Sequence, residues 1–251
     1  MSWLEENLNS IVLGNSYELI KKIPDNSIDL IVTDPPYEIK QLSGGGCLEA
    51  KGIKKSFKDL TDNFLDVGID EKIFDEFMRI MKKPNIYIWC NKTLIPKLIN
   101  YFHVENKLSF ELITWHKTNA MPLCGNSYLV DTEFCLYFRK GIKLNTTYET
   151  AKTHYELPIN IDDKKLYMHP TIKPFPIIRN LINNSCPKGG IVFDPYNGSG
   201  TTTVVAKELG FNYLGIEINP KWYKISIDRL NGINANGQTS IFTDFENLEG
   251  K

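Results

Sequence analysis

The chain of 251 residues is long enough for one buried core, and its apolar content of 42% and charged content of 24% are ordinary for a globular protein. The formal net charge of -1 gives no overall basic surface, so any contact with a nucleic acid must come from a local patch. Because the sequence has neither an apolar leader nor a run of about 18 apolar residues, we expect no signal peptide, no membrane span and a cytoplasmic protein.

The first elements lead to a short strand that ends in two prolines. Residues 11–23 predict a strand, a Gly-Asn turn at Asn15 and an amphipathic helix with Ser16 as its N-cap. The apolar run from Ile28 predicts a buried strand that ends at Asp34-Pro35-Pro36-Tyr37, because proline cannot continue a strand ladder. A carboxylate, a carbonyl and an aromatic ring therefore meet at the strand edge where open α/β sheets bind ligands. An ordinary Pro-Pro turn explains the same residues equally well.

The middle of the chain alternates predicted loops with regular elements. Residues 38–68 contain three consecutive glycines and a lysine cluster, which indicates either a basic lid that meets phosphates or a solvated surface loop. The polar loop 117–131 and the irregular stretch 141–168 lie further along. Helical spacing predicts helices over 70–82, 92–102 and 175–184, and apolar runs predict strands over 85–90, 110–115 and 134–138.

A second strand–turn–helix segment follows at residues 189–202, where a strand ends in Asp194 and a glycine-rich turn opens a helix. Small residues in such a turn let the backbone approach a ligand closely. Neither the full Gly-x-Gly-x-x-Gly fingerprint nor a phosphate loop is present. The next predicted strand, 213–217, ends in Glu217. An acid at this position usually accepts hydrogen bonds from the hydroxyls of a bound ribose. Ordinary packing of a strand–helix–strand unit is the competing interpretation.

Together, Asp34-Pro35-Pro36-Tyr37 and residues 194–202 resemble the S-adenosylmethionine-dependent amino-methyltransferases of DNA. Because the tetrapeptide precedes the glycine turn, the chain is similar to the permuted β group of that family. Further matches, between about residue 11 and about residue 230, are 115–119 with Pro122, Thr132-Glu133, 169–174, 215–217, Tyr223 and Arg229-Leu230. The resemblance implies a doubly wound, mostly parallel Rossmann-like α/β sheet, circularly permuted, with small irregular insertions. We expect the strand of Asp194 to lie beside the strand of Asp34.

The resemblance also implies roles for individual residues. The Asp34 carboxylate and the Pro35 carbonyl, in a turn stiffened by Pro36, would accept hydrogen bonds from the exocyclic amine of a base flipped out of the duplex. Tyr37 would stack on that base, and Glu217 would hold the ribose of S-adenosylmethionine. The other residues expected at the cofactor are Asn15, Asp34, Lys173, Asp194, Pro195, Gly198, Ser199, Gly200 and Thr201.

The aspartate-first tetrapeptide favours N6 of adenine over N4 of cytosine, although both amines offer the same two N–H groups. Two rival functions stay open. An RNA or protein methyltransferase is one, but a tetrapeptide with Asn in place of Asp34 is typical of glutamine methylation. A non-catalytic nucleic-acid-binding protein is the other, and it predicts damage to one of the two motifs.

We expect one methyltransferase domain at residues 1–230, with the basic loop 38–68, a short target-recognition insert at 141–168 and a polar tail at 231–251. Duplex DNA is the expected partner, and a homodimer and a companion restriction endonuclease are further expectations. Five widely spaced cysteines without a Cys-x-x-Cys pair favour free thiols in a reducing compartment, and neither they nor the histidines predict a metal site. The family resemblance implies a bacterial or phage-encoded protein.

Overall fold

A computed structural model of the chain describes residues 1–37, 68–120, 128–159 and 172–233. Its strands are β1 (Ser10–Leu13), β2 (Leu30–Thr33), β3 (Asn85–Cys90), β4 (Ser109–Lys117), β5 (Thr132–Arg139), β6 (His154–Leu157), β7 (Ile191–Asp194) and β8 (Asn212–Glu217). Its helices are α1 (Trp3–Asn7), α2 (Ser16–Leu19), α3 (Lys72–Ile80), α4 (Ile95–Leu98), α5 (Phe175–Ser185), α6 (Thr201–Glu208) and α7 (Pro220–Leu230). A 3-10 turn at Ile20–Lys22 extends α2, and a π-helical turn at Ile99–Glu105 extends α4.

These strands form one sheet in the order β1-β8-β7-β2-β3-β5-β4-β6. β5 runs antiparallel to its neighbours β3 and β4, and the other adjacent pairs of the described strands are parallel. β2 pairs with β7, with Leu30 opposite Val192 and Ile31 opposite Phe193. The expected mostly parallel α/β sheet is present, and the predicted adjacency of the strands that lead to Asp34 and Asp194 is confirmed.

The central strands β2, β3, β7 and β8 are buried on both faces of the sheet, to which successive side chains point in alternation. Ile31 and Ile86 pack on one face with residues of α1, α2, α3 and α4. Val32 and Tyr87 pack on the other face with residues of α5 and α6. Helices therefore cover both faces, as a doubly wound sheet requires.

Most predicted elements are confirmed within the described residues, and the differences are local. Within residues 11–23, the predicted strand is β1, and the predicted amphipathic helix is a single α-helical turn followed by a 3-10 turn. Two short elements, α1 and β6, were not predicted; β6 is only half-buried, so it lacks the apolar run that marks the equally short β2. The loop predicted over 38–68, apart from Gly68, and the part of the predicted tail beyond residue 233 fall outside the described residues. In the described parts of the chain, no helix is both long and apolar enough to cross a membrane.

The prediction of Ser16 as the N-cap of the helix now identified as α2 is wrong by one residue. Asn15 has the extended backbone of an N-cap, and its side-chain oxygen accepts a hydrogen bond from the Tyr17 N–H at 2.9 Å. Ser16 instead donates its hydroxyl proton to the carbonyl of Pro195. This hydrogen bond ties the start of α2 to the turn after β7.

A buried asparagine joins three elements at the amino edge of the sheet. The Asn85 amide donates to the carbonyls of Asp29 at 2.8 Å and Ser185 at 2.9 Å, and its oxygen accepts from the Tyr137 hydroxyl at 2.9 Å. Asn85 is fully buried, so no solvent can replace these partners. The side chain therefore fixes β3 against the start of β2 and the end of α5.

We predict that Asn85→Ala lowers the free energy of unfolding by about 2 to 4 kcal/mol, because two carbonyls and one hydroxyl lose their partner. Tyr137→Phe removes one of the three hydrogen bonds and is expected to cost about 1 to 2 kcal/mol. Urea unfolding followed by circular dichroism measures both. Equal losses in the two variants would contradict a three-way role for Asn85.

Candidate active site

Two turns meet at the carboxyl edge of the sheet, because β2 and β7 pair in parallel. The Asp34 turn leaves β2, the glycine-rich turn leaves β7, and both contribute to one cavity of about 220 Å³. The predicted site residues in its lining are Asn15, Asp34, Pro36, Lys173, Asp194, Pro195, Gly198, Ser199, Thr201 and Glu217. The other predicted site residues, Pro35, Tyr37 and Gly200, are described by the structure and lie outside this lining.

The glycine-rich turn needs glycine where it enters α6. Gly200 has a φ of 86°, and a Cβ at this position would lie 2.9 Å from the Cβ of Ser226 in α7. From the same helix, the buried Arg229 donates through Nη1 to the Ser199 carbonyl at 2.9 Å and to the Thr201 hydroxyl at 3.2 Å. α7 therefore supports the turn from behind and leaves its other side to the cavity.

Glu217 lies at the end of β8 and is held by backbone donors. Its Oε2 accepts from the Gly198 N–H at 2.7 Å, and its Oε1 accepts from the Asn219 N–H at 2.8 Å. Burial raises the pKa of Glu217, and these backbone hydrogen bonds oppose the rise. Since each carboxylate oxygen has a second lone pair, Glu217 keeps acceptor capacity toward the cavity in a fixed orientation.

Asp194 is a buried acid at the centre of the two turns. It is 4% exposed and accepts hydrogen bonds from the Thr33 hydroxyl at 2.9 Å and the Tyr196 N–H at 3.1 Å. Burial raises the pKa of this carboxyl to about 7, although its hydrogen bonds act in the opposite direction. Asp194 therefore links the last residue of β2 to the glycine-rich turn across the strand pair.

Asp34 has a donor on each carboxylate oxygen. The Tyr37 hydroxyl donates to Oδ1 at 2.5 Å, and the Lys173 ammonium lies 2.6 Å from Oδ2. Burial raises the pKa of Asp34, whereas the Lys173 charge lowers it. The two donors fix the plane of the carboxylate, and 23% of its side chain remains exposed.

Lys173 lies between two acids as well as at the cavity wall. Its Nζ is 2.6 Å from Asp34 and 2.9 Å from Oε2 of Glu133, and it lies 5.2 Å from the centre of the Trp89 ring. The ammonium of Lys117 is 2.8 Å from the other oxygen of Glu133. These two cations hold the pKa of Glu133 low, at about 2, although burial alone would raise it.

Sequence reasoning assigned no role to four residues of this site. Trp89 and Asn197 line the cavity, while Glu133 and Arg229 hold its charged and glycine-rich parts. Glu133 and Arg229 belong to segments that carry the family resemblance, and this resemblance was the sequence feature that could have indicated a role for them. Trp89 lies in a strand whose apolar pattern indicates core, and its ring is indeed 1% exposed. The buried Nδ2 of Asn197 has no hydrogen-bond partner among the described residues.

The described residues contain no group of three or more His, Cys, Asp or Glu side chains arranged to hold a metal ion. Cys90, Cys135 and Cys186 are free and buried, and Cys47 and Cys124 lie outside the described ranges. The charged residues that line the cavity are Asp34, Lys173, Asp194 and Glu217.

The raised pKa of Asp194 predicts a pH dependence of stability. Between the ordinary value of 3.8 and about 7, the folded state binds a proton that the unfolded state has lost, so stability decreases as pH rises through this window. We predict that Asp194→Asn, without cofactor, removes this decrease and gains on the order of a few kcal/mol over the parent protein at pH 8.

Thermal unfolding from pH 4 to pH 8 measures the effect, with Glu18→Gln at an exposed position as the control. An unchanged slope in Asp194→Asn would show that Asp194 is ionised throughout this range.

Comparisons with known proteins agree with this geometry. A family model described as DNA methylase matches residues 28–228, a range that includes Asp34, Lys173 and Glu217. The chain is 32% identical over 255 residues to the Type II methyltransferase M2.LlaDCHI of Lactococcus lactis subsp. cremoris, covering 90% of this chain and 91% of that protein. It is 30% identical over 258 residues to the Type II methyltransferase M2.DpnII of Streptococcus pneumoniae, covering 91% and 92%.

The fold has solved counterparts as well. The crystal structure of the M1.HpyAVI–SAM complex superposes with a TM-score of 0.64 at 24% identity, covering 88% of this chain and 98% of that one. This likeness concerns the arrangement of the α/β sheet, which the two proteins share. The family match over most of the chain, together with relatives at 30% identity or more along nearly their whole length, shows that the chain belongs to the DNA methylase family.

Proposed function

We propose that the protein transfers the methyl group of S-adenosylmethionine to the exocyclic N6 amine of adenine in duplex DNA. One observation carries this proposal: Asp34, which opens the proline turn after β2, lines the same cavity as Glu217 and the glycine-rich turn. An acceptor for a target amine and a pocket suited to a nucleoside cofactor therefore lie next to each other. Membership of the DNA methylase family supplies the reaction class.

The cavity has the features that S-adenosylmethionine needs. Glu217 offers fixed acceptors for ribose hydroxyls, and Ile218 and Trp222 supply apolar wall beside it. The buried Nδ2 of Asn197 is a donor with no partner in the described residues, which suits a polar ligand. We assign the adenine end to Asn15, and the methionine end to Asp34, Lys173, Asp194, Pro195, Gly198, Ser199, Gly200 and Thr201. When bound, the cofactor supplies a methyl group activated by a sulfonium.

The residues of the proline turn prepare the target amine. An exocyclic amine is a poor nucleophile, because its lone pair is delocalised into the base. Hydrogen bonds from both N–H groups to the Asp34 carboxylate and the Pro35 carbonyl would localise that lone pair and aim it toward the cofactor cavity. Both acceptors belong to a stiff turn, and the donors on Asp34 already fix its orientation, so little reorganisation is required. Tyr37 is assigned to stacking on a base that has left the duplex.

The choice of adenine rests on the aspartate at position 34. Cytosine N4 offers the same pair of N–H groups, so its methylation is the nearest alternative and would use the same residues. An RNA or protein substrate is less well supported, because relatives along most of the chain are named Type II methyltransferases. The non-catalytic alternative predicts a damaged motif, whereas Asp34, Glu217 and both turns are intact.

The remaining assignments extend this proposal. We infer one methyltransferase domain over residues 1–230 in the permuted order, since β2 with its tetrapeptide precedes β7 with the glycine turn. Residues 38–68 and 141–168 are assigned to DNA contact, and 231–251 to a tail. A homodimer, a companion endonuclease and a cytoplasmic location in a bacterium or its phage complete the proposed setting, and the free buried cysteines fit a reducing compartment.

We predict that the protein transfers labelled methyl from S-adenosylmethionine to duplex DNA, and that digestion to nucleosides yields N6-methyl-2′-deoxyadenosine. Asp34→Ala is expected to reduce kcat by about 100-fold or more, because the preorganised acceptor is lost. Label in N4-methylcytosine would overturn the choice of base. If no label enters DNA although the cofactor binds, the substrate assignment is wrong.

Cofactor binding has a separate test. S-adenosylmethionine at 100 times its Kd should stabilise the protein by about 2.7 kcal/mol, seen as a rise in Tm. We predict that Glu217→Gln loses most of this rise, because an amide presents a donor where the carboxylate presents acceptors. Glu111→Gln, on the exposed part of β4, is the matched control and should keep the full rise. An undiminished shift in Glu217→Gln would remove Glu217 from the cofactor site.

A further inference from the structure

We propose that Lys173 and Glu133 are positioning residues for Asp34, and that the three side chains act as one carboxylate–ammonium–carboxylate triad facing the target amine. This inference rests on the proposed function, in which Asp34 accepts a hydrogen bond from that amine. It changes the role expected of Lys173 and gives a role to Glu133, for which none was expected.

The Lys173 side chain is buried, and its ammonium contacts both carboxylates of the triad. The Lys173 ammonium lies 2.6 Å from Asp34 and 2.9 Å from Glu133, and only 7% of the lysine side chain is exposed. The centres of the Trp89 and Tyr37 rings lie 5.2 and 5.8 Å from the same nitrogen. A move of Lys173 toward a bound cofactor would break two short ion pairs, so the structure favours a lysine that stays with the acids.

Glu133 is itself fixed from the far side. Its Oε1 pairs with the ammonium of Lys117 at 2.8 Å, and its Oε2 faces Lys173. Lys117 ends β4, Glu133 lies in β5, and Lys173 precedes α5. The ion-pair chain therefore connects the antiparallel part of the sheet to the Asp34 turn at the end of β2. Because Glu133 is held in place by Lys117, the Lys173 ammonium keeps the same two carboxylate partners.

The triad sets both the position and the basicity of Asp34. Lys173 and the Tyr37 hydroxyl occupy one carboxylate oxygen each, which fixes the plane that the target amine must meet. The positive charge of Lys173 lowers the pKa of Asp34, and the negative charge of Glu133 raises it. Glu133 thus offsets part of the lysine charge and keeps Asp34 a good acceptor for an amine that becomes positively charged during transfer.

Other groups near Asp34 must be taken into account in any pH experiment. They are Tyr37, Cys90, Cys135 and Asp194, in addition to Lys173 and Glu133. Burial raises the pKa of Cys90 to about 12 and that of Cys135 as well, so both thiols are neutral near pH 7. Asp194 titrates near pH 7 but is present in every variant below, and differences between variants therefore report on the triad.

The test measures kcat against pH with saturating cofactor and DNA for the parent protein, Glu133→Gln and Lys173→Met. We expect the acid limb to move to lower pH in Glu133→Gln and to higher pH in Lys173→Met, each by about 0.5 to 1 unit. The KM for S-adenosylmethionine should stay within about threefold in Glu133→Gln while kcat falls about 10-fold or more. Glu111→Gln is the matched control and should leave the profile unchanged.

A second readout is independent of activity. The carboxyl resonance of Asp34, labelled with carbon-13 and assigned with Asp34→Asn, should titrate with the same opposite shifts. If the parent protein methylates no DNA but these shifts appear, the proposed function fails and the triad stands. Acid limbs and titrations that coincide in parent and Glu133→Gln would overturn the triad. Glu133→Gln keeps a hydrogen-bond acceptor for Lys173 and is therefore expected to fold. This variant alone tests the triad if Lys173→Met does not fold.

Discussion

The parallel pairing of β2 with β7 is the contact on which the rest of the site depends. Parallel strands end at the same edge of a sheet, so this pairing alone brings the Asp34 turn and the glycine-rich turn together. The Thr33–Asp194 hydrogen bond then closes the junction, although 161 positions separate the two residues in the chain. β8 lies on the far side of β7 and brings Glu217 to the same edge. One strand order therefore accounts for both halves of the proposed site.

The charges at this edge are buried but compensated. Asp34, Lys173, Glu133 and Lys117 alternate in sign along one chain of ion pairs, so each charge has an opposite neighbour. Burying charges costs free energy that such pairs repay only in good geometry. An arrangement of this kind is therefore a weak source of stability and a strong constraint on position. That constraint suits a site in which a carboxylate must meet an amine in one orientation.

The glycine-rich turn, in contrast, is held by backbone conformation and by contacts from one helix. Gly200 adopts a left-handed backbone close to Ser226, and Arg229 binds the turn from the same helix. Main-chain shape and support from α7 therefore determine the turn, while its outer side lines the cavity. Gly198 also donates its N–H to Glu217, so the turn orients the acid as well as shaping the wall. The proposed cofactor side of the site is therefore shaped largely by backbone, and the proposed substrate side by charged side chains.

The sequence by itself determined the two turns, because apolar runs that end in Asp-Pro-Pro or in glycines are local patterns. The fold class and the adjacency of the two strands followed from the family resemblance that these motifs carry. It also placed Asp34, Asp194 and Glu217 at one edge. The role of Ser16 was misread, since Asn15 and Ser16 are both good caps and only backbone geometry separates them. Short elements such as β6 depend on pairing with β4 and leave little trace in the chain. Tertiary structure alone decided that Lys173 pairs with Asp34 and Glu133, because their contact joins three elements distant in sequence, and no local pattern encodes which charges will meet.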